Sequence, residues 1–184
     1  MSTTMKQNNN NSNKNIDKNI DELLSSMSQD LQNLIEKRKL NNPVMVGIHT
    51  AGVWIAEHLH QTLEIQEPLG ELNISFYRDD FSRIGLHPQI KPSKLPFSLE
   101  NKHIILVDDV LYTGRTIRAA MNELFDFGRP ASITLAVMID RGHRELPIEA
   151  QVVGFRQVTD FDRYFKLSND NNKLELKIIN RENL

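Results

Sequence analysis

A thirteen-residue segment in the second half of the chain places acidic residues directly behind an apolar run. It extends from Ile104 to Thr116 and reads IILVDDVLYTGRT. Asp108 and Asp109 follow the apolar run, and in open α/β sheets ligands bind outside the carboxyl ends of the strands. Two carboxylates can accept hydrogen bonds from the hydroxyls of a cis-diol, each worth about 1.5–3 kcal/mol, or they can bind a hard metal ion. The pair therefore indicates a site for a sugar diol.

The end of this segment has the composition of a phosphate cradle. Thr113-Gly114-Arg115-Thr116 leads into a helical pattern. Glycine lets the backbone approach a ligand, hydroxyls donate hydrogen bonds, and a helix N-terminus presents N–H groups to an anion. In isolation, such residues could simply cap a helix behind a core strand. Joined to the aspartate pair, they predict a site for a phosphorylated sugar.

The elements that must position this segment alternate between strands and helices. Apolar runs typical of buried parallel strands, or apolar alternation, predict strands at Val44–Ile48, Leu69–Tyr77, Ile104–Val107 and Ile133–Ile139. Apolar residues three and four apart predict helices over 17–39, Val53–Leu63 and Arg118–Phe127. We therefore expect an α/β fold with an open, mostly parallel sheet flanked by helices, and the strand at 104–107 at its centre.

Length and composition limit the remaining possibilities. The chain has 184 residues, no cysteine and a net charge of −2. We expect an Asn-rich disordered tail over 1–18 and one domain over 19–184, with a long binding or lid loop over 78–100. The absence of cysteine excludes disulfides and thiolate metal sites and suits a cytoplasmic protein. No run approaches the ~20 apolar residues of a membrane span, so no membrane partner is expected.

The sequence resembles a known family in several motifs. VDDVLYTGRT is similar to the 5-phosphoribosyl-1-diphosphate (PRPP) signature of type I phosphoribosyltransferases. YRDD at 77–80, GRP at 128–130 and DRGHRELPI at 140–148 resemble motifs of the pyrimidine operon regulators that double as uracil phosphoribosyltransferases. The resemblance extends from about Val46 to Gly154. It implies a type I phosphoribosyltransferase fold with a small hood and a flexible loop.

The resemblance also implies an activity, which is Mg²⁺-dependent transfer of the phosphoribosyl group from PRPP to uracil, giving UMP and diphosphate. Asp108 and Asp109 would hold the ribose hydroxyls near a transition state of oxocarbenium character, and either could contact Mg²⁺. Arg78 and Asp79 would begin the flexible loop that closes over the reacting groups. These four residues are the candidate catalytic residues.

The binding residues follow from the same resemblance. The pyrophosphate loop and the phosphate cradle would form the PRPP site, with Thr50, Ala51, Gly52, Val110, Leu111, Tyr112, Thr113, Gly114, Arg115 and Thr116. The hood that binds the base would contain Asp140, Arg141 and Gly142. Family members commonly carry an arginine where this chain has Ala51. Because a guanidinium binds diphosphate well, its loss predicts lower PRPP affinity.

Two other functions stay open from the sequence. One is a nucleotide-sensing, RNA-binding transcription attenuator with weak or no catalysis, and the other is a phosphoribosyltransferase for another base. RNA binding depends on basic residues. The first helix instead carries acidic residues at Asp17, Asp21, Glu22 and Asp30, with only Lys37–Lys39 as a basic cluster. The resemblance implies a homo-oligomer, either a dimer or a larger assembly.

Overall fold

The computed structural model describes residues 19–74, 92–158, 163–170 and 173–180. The helices are α1 (Ile20–Arg38), α2 (Ala51–Thr62) and α3 (Arg115–Phe127). The strands are β1 (Val44–Ile48), β2 (Gly70–Leu72), β3 (His103–Leu111), β4 (Ser132–Asp140), β5 (Val152–Arg156), β6 (Arg163–Asp170) and β7 (Lys173–Asn180). None of the helices in these ranges is long and apolar enough to cross a membrane.

Strands β1 to β5 form one parallel sheet in the order β2-β1-β3-β4-β5. The predicted open parallel sheet with the 104–107 strand at its centre is therefore confirmed. Strand β3 pairs with β1 from Ile104 and with β4 from His103. Because β3 has a neighbour on each side, its carboxyl end lies in the middle of the sheet edge where α/β proteins bind ligands.

Helices cover both faces of the sheet. On one face, α1 and α2 pack on side chains such as Met45, Ile105 and Met138. On the other face, α3 packs on the alternating side chains, such as Val46, Leu106 and Val137. Consecutive strand residues point to opposite faces, so each apolar run supplies both cores. This double burial explains why the runs 44–48 in β1, 104–107 in β3 and 135–139 in β4 contain no polar side chain.

The end of the chain forms a second, two-stranded antiparallel sheet of β6 and β7. It packs on the face that carries α1 and α2, and the side chain of Leu167 is buried in that core. The sequence patterns above predicted neither this hairpin nor the edge strand β5. The hairpin therefore extends the covering of the sheet face on which α1 and α2 pack.

Several predicted boundaries are wrong, and the corrections matter for the site. Helix α2 begins at Ala51 rather than Val53, and α3 begins at Arg115 rather than Arg118. Strand β3 continues to Leu111, so the aspartate pair lies inside the strand rather than after it. The predicted strand at 69–77 is confirmed only at Gly70–Leu72, and residues 75–77 lie outside the described residues.

Candidate functional site

The aspartate pair lies near the carboxyl end of the central strand. Asp108 is buried, with 3% of its surface exposed, and Asp109 is half-buried. The Asp108 carboxylate accepts a hydrogen bond from the Asp109 amide at 3.0 Å, and the Asp109 carboxylate accepts one from the Val110 amide at 2.9 Å. Each carboxylate is thus turned toward the next amide, and Asp109 is the more exposed of the two.

The N-terminus of α2 lies directly against this pair. Gly52 packs so closely on β3 that a Cβ atom there would stand 2.6 Å from the carbonyl oxygen of Val107 and 3.0 Å from Cα of Asp108. Thr50, the N-cap of α2, is exposed, and Ala51 is half-buried. The structure therefore brings the three predicted pyrophosphate-loop residues next to the aspartate pair.

This close packing predicts the effect of adding one methyl group to Gly52. Overpacking against backbone atoms costs about 1–3 kcal/mol, because the helix must shift away from β3. We expect Gly52→Ala to lower the free energy of unfolding by that amount, measured by urea denaturation. The control is Ser26→Ala, a small substitution on the exposed face of α1. Equal stability of Gly52→Ala and the unchanged protein would contradict the packing argument.

The phosphate-cradle candidates form the turn between β3 and α3. Gly114 is the N-cap of α3 and has φ of 93°, a conformation that favours glycine. The Thr113 carbonyl accepts hydrogen bonds from the amides of Glu145 and Leu146 at 3.0 and 3.2 Å. Arg115 forms an exposed ion pair with Glu145 at 2.7 Å. The segment after β4 therefore fixes the turn, leaving the first N–H groups of α3 at the sheet edge.

The predicted hood lies beside this turn. Asp140 ends β4 and pairs in register with Leu111, and the Arg141 amide donates to the Leu111 carbonyl at 2.9 Å. The Asp140 carboxylate is 4% exposed and is used within the protein. One of its oxygens accepts from the Gly142 amide at 3.0 Å and from Arg144 at 2.7 Å, and the other accepts from Arg156 at 3.1 Å.

Arg144 joins the hood to the phosphate turn. Besides Asp140, its guanidinium donates to the carbonyls of Tyr112 at 3.0 Å, Gly142 at 3.2 Å and Ile148 at 2.9 Å. Its side chain is only 14% exposed. A planar guanidinium has five donors in a fixed arrangement, which suits several acceptors at once. Arg144 therefore adds side-chain hydrogen bonds to the main-chain hydrogen bonds that already join the hood to the phosphate turn.

Arg141 is packed against aromatic rings. Its guanidinium carbon lies 4.4 Å from the ring centroid of Tyr112, and the whole residue is 5% exposed. The ring of His143 meets that of Tyr112 edge-on, with centroids 6.3 Å apart. Gly142 has φ of 73°, and a Cβ there would stand 3.2 Å from a methyl group of Val158. The side chain of Arg141 is therefore buried and packed against other residues, and it is not a solvent-exposed charge in a turn.

The structure thus brings together most of the residues that the sequence singled out. The ranges Thr50–Gly52, Asp108–Thr116 and Asp140–Gly142 meet at one sheet edge. The candidate catalytic residues Arg78 and Asp79 lie outside the described residues. Sequence reasoning missed the role of Arg144, although it lies in the DRGHRELPI motif. An arginine four residues after the hood aspartate was a usable signal for an ion pair.

Known proteins similar in sequence match a part of the chain that includes these site residues. The profile of a family described as "Phosphoribosyl transferase domain" matches residues 7–166. A "Bifunctional protein PyrR" from Nitrosococcus oceani is 58% identical over 134 residues, covering 72% of this chain and 76% of the relative. The protein of that name from Pseudomonas syringae pv. syringae is 51% identical over 147 residues, covering 80% of this chain and 86% of the relative.

Solved structures are similar in fold at lower identity. A hypoxanthine phosphoribosyltransferase from Staphylococcus aureus has a TM-score of 0.57 at 23% identity, covering 76% of this chain and 75% of that chain. A hypoxanthine-guanine phosphoribosyltransferase from Bacillus anthracis has a TM-score of 0.61 at 16% identity, covering 75% of this chain and 80% of that chain. At these identities the likeness concerns the fold alone.

Proposed function

The chain belongs to the PyrR family of type I phosphoribosyltransferases, and on that premise we propose that it transfers the phosphoribosyl group of PRPP to uracil, giving UMP and diphosphate. The observation that carries this proposal is the buried Asp108 beside Asp109 at the end of the central strand, with the N-termini of α2 and α3 nearby. PRPP carries a diol between a 5′-phosphate and a diphosphate, and two carboxylates between two helix N-termini have the chemistry to bind these three groups.

In this proposal the aspartate pair binds the ribose 2′- and 3′-hydroxyls. Each hydroxyl donates to an ionised carboxylate, and such charge-assisted hydrogen bonds are among the stronger ones. The same negative charge stabilises a ribose that becomes oxocarbenium-like as the bond to diphosphate breaks. The N–H groups at the start of α3, with Thr113 and Thr116, bind the 5′-phosphate.

The carboxylates also fit a magnesium ion. Mg²⁺ in phosphate-transferring sites is held by one or two carboxylates together with substrate phosphates and water, and Asp108 and Asp109 are oxygen donors of that kind. When bound, the ion would neutralise charge on the leaving diphosphate. Thr50, Ala51 and Gly52 would bind that diphosphate from the α2 side.

The base would lie under the hood. We assign the base contacts to Arg141 and the backbone around Gly142, and a positioning role to Asp140, because the Asp140 carboxylate is already held by two arginines and an amide. Uracil presents two carbonyl acceptors and two N–H donors in one plane. A guanidinium and main-chain groups can read such a pattern together.

The decisive experiment measures Mg²⁺-dependent formation of UMP from uracil and PRPP by the full chain. Parallel reactions with hypoxanthine and guanine identify the base. Turnover of uracil supports the proposal, and turnover of a purine base alone would replace it with a phosphoribosyltransferase for another base. No turnover, together with UMP-stimulated binding of a pyrimidine leader RNA, would support the attenuator instead.

A substitution at Ala51 tests the diphosphate side of the site. Introducing a guanidinium at this half-buried first residue of α2 supplies a donor for diphosphate. We expect Ala51→Arg to lower the PRPP KM by about 5-fold, since a partly exposed charge contact is worth roughly 1 kcal/mol. Ala131→Arg, an exposed position just before β4, is the control. An unchanged PRPP KM in Ala51→Arg would contradict the prediction.

A further inference from the structure

A tyrosine of the C-terminal hairpin contacts the hood. The guanidinium carbon of Arg141 lies 5.3 Å from the ring centroid of Tyr164 on β6, in addition to its 4.4 Å distance from Tyr112. Both distances are within the roughly 6 Å at which a cation is attracted to an aromatic ring. Arg141 is therefore held by one ring from the phosphate turn and one ring from the hairpin.

The hairpin is anchored in a way that fixes Tyr164. Leu167 is buried in the core shared with α1 and α2, and the ring of Phe165 meets that of Phe155 edge-on at 5.9 Å. Alternation along β6 places Phe165 and Leu167 on one face and Tyr164 on the other. Because its neighbours in the strand are held by the core, Tyr164 is presented to the hood by a fixed backbone.

We propose that Tyr164 is a positioning residue for the base, and that it holds the Arg141 guanidinium over Tyr112 in the orientation that binds a planar base with carbonyl oxygens. This inference rests on the proposed function, in which Arg141 contacts the base. An arginine side chain has many rotamers, and fixing it beforehand removes part of the entropy cost of binding. Ring faces on two sides attract the charge of the guanidinium and thereby favour one placement of it.

A second contact supports the same role for the end of the chain. Val158, in the connection that leads from β5 toward the hairpin, lies beside the hood glycine, since a Cβ atom at Gly142 would stand 3.2 Å from a methyl group of Val158. The C-terminal residues thus lie beside Arg141 and Gly142, which are the two positions assigned to the base. The groups assigned above to the diphosphate and the 5′-phosphate lie instead around the N-termini of α2 and α3. Tyr164 is therefore expected to affect base binding rather than PRPP binding.

The test compares Tyr164→Leu with Tyr164→Phe in the full chain. Leucine removes the ring, and phenylalanine keeps it. For Tyr164→Leu we expect the uracil KM to rise about 2- to 30-fold, with an unchanged PRPP KM. Tyr164→Phe is expected to restore the uracil KM of the unchanged protein. Melting temperatures of all three proteins are measured alongside.

Each outcome decides between the inference and the function on which it rests. If the unchanged protein makes UMP and Tyr164→Leu keeps its uracil KM, the inference is overturned and the proposed function stands. If both KM values rise together with a fall in melting temperature, Tyr164 is only structural, and the inference is again overturned. If the unchanged protein makes no UMP, calorimetric titration with UMP decides. Weaker UMP binding by Tyr164→Leu supports the inference, and equal or absent binding overturns it.

Discussion

Changing either Asp108 or Asp109 to asparagine is expected to lower kcat/KM for UMP formation by about 10- to 150-fold. The estimate converts the roughly 1.5–3 kcal/mol of a charged hydrogen bond into a rate ratio. Asparagine keeps the size of the side chain and an oxygen that can still accept from the following amide. We therefore expect the fold to be preserved while one negative charge at the proposed ribose site is lost.

The comparison of the two variants is informative in itself. Asp108 is buried and Asp109 is half-buried, so the charge at Asp108 is less screened by solvent. We expect the larger loss at Asp108, measured by initial rates at saturating Mg²⁺. Asp126→Asn, an exposed carboxylate in the last turn of α3, should leave the rate unchanged. Full activity of Asp108→Asn would refute the proposed ribose site.

Arg144→Met is expected to lower the free energy of unfolding by about 3 kcal/mol. Removing one partner of a buried ion pair typically costs 3–5 kcal/mol, and Asp140 here keeps its contacts with Arg156 and the Gly142 amide, which favours the lower value. For a domain of this size the melting temperature should fall by about 6–12 °C. The same variant should impair binding of both PRPP and uracil, because Arg144 holds both parts of the site.

Arg156→Met is the matched control, because it removes the other arginine from the same carboxylate. The Arg156 side chain is 64% exposed, and exposed ion pairs are worth about 0.2–1 kcal/mol. Arg144→Lys keeps the charge but loses the planar set of donors, so its stability should fall between the two. Equal melting temperatures for Arg144→Met and Arg156→Met would show that the carbonyl contacts of Arg144 contribute nothing.

The sheet could be predicted from the sequence where burial is complete on both faces. The strands β1, β3 and β4 have continuous apolar runs because each is covered by helices on both sides. The edge strand β5 and the hairpin could not be predicted so readily. In β7, Leu174 and Leu176 alternate with Lys173, Glu175 and Lys177, a one-sided pattern that is short and weak by itself.

The starts of α2 and α3 were predicted too late for a physical reason. Apolar spacing predicts the part of a helix that packs on the core. Helices α2 and α3 instead begin with a residue that packs closely on β3 or with a residue that forms a turn. Gly52 must be small because β3 is adjacent, and Gly114 must adopt positive φ. The first turns of these helices therefore lack the apolar signal and coincide with the candidate site.

The site itself could be predicted in its motifs but not in its internal contacts. The residue types of the aspartate pair and of the TGRT turn are enough to predict a diol site and a phosphate site. Arg144 does not, because most of its partners are carbonyls of residues up to thirty-three positions away, which any sequence supplies. The contact of Tyr164 with Arg141 depends on how the hairpin packs, which no local pattern encodes.

The contacts of Arg144 also bear on when the site forms during synthesis. Because the chain is synthesised from its N-terminus, Tyr112 is made 32 residues before Arg144, the residue that donates to its carbonyl. The carbonyls of Tyr112 and Thr113 accept hydrogen bonds from residues 144–146, so these bonds can form only after that later segment has been synthesised. A fragment that ends after α3 would therefore contain every residue of the phosphate cradle, but it would lack the donors that hold the cradle in its folded conformation.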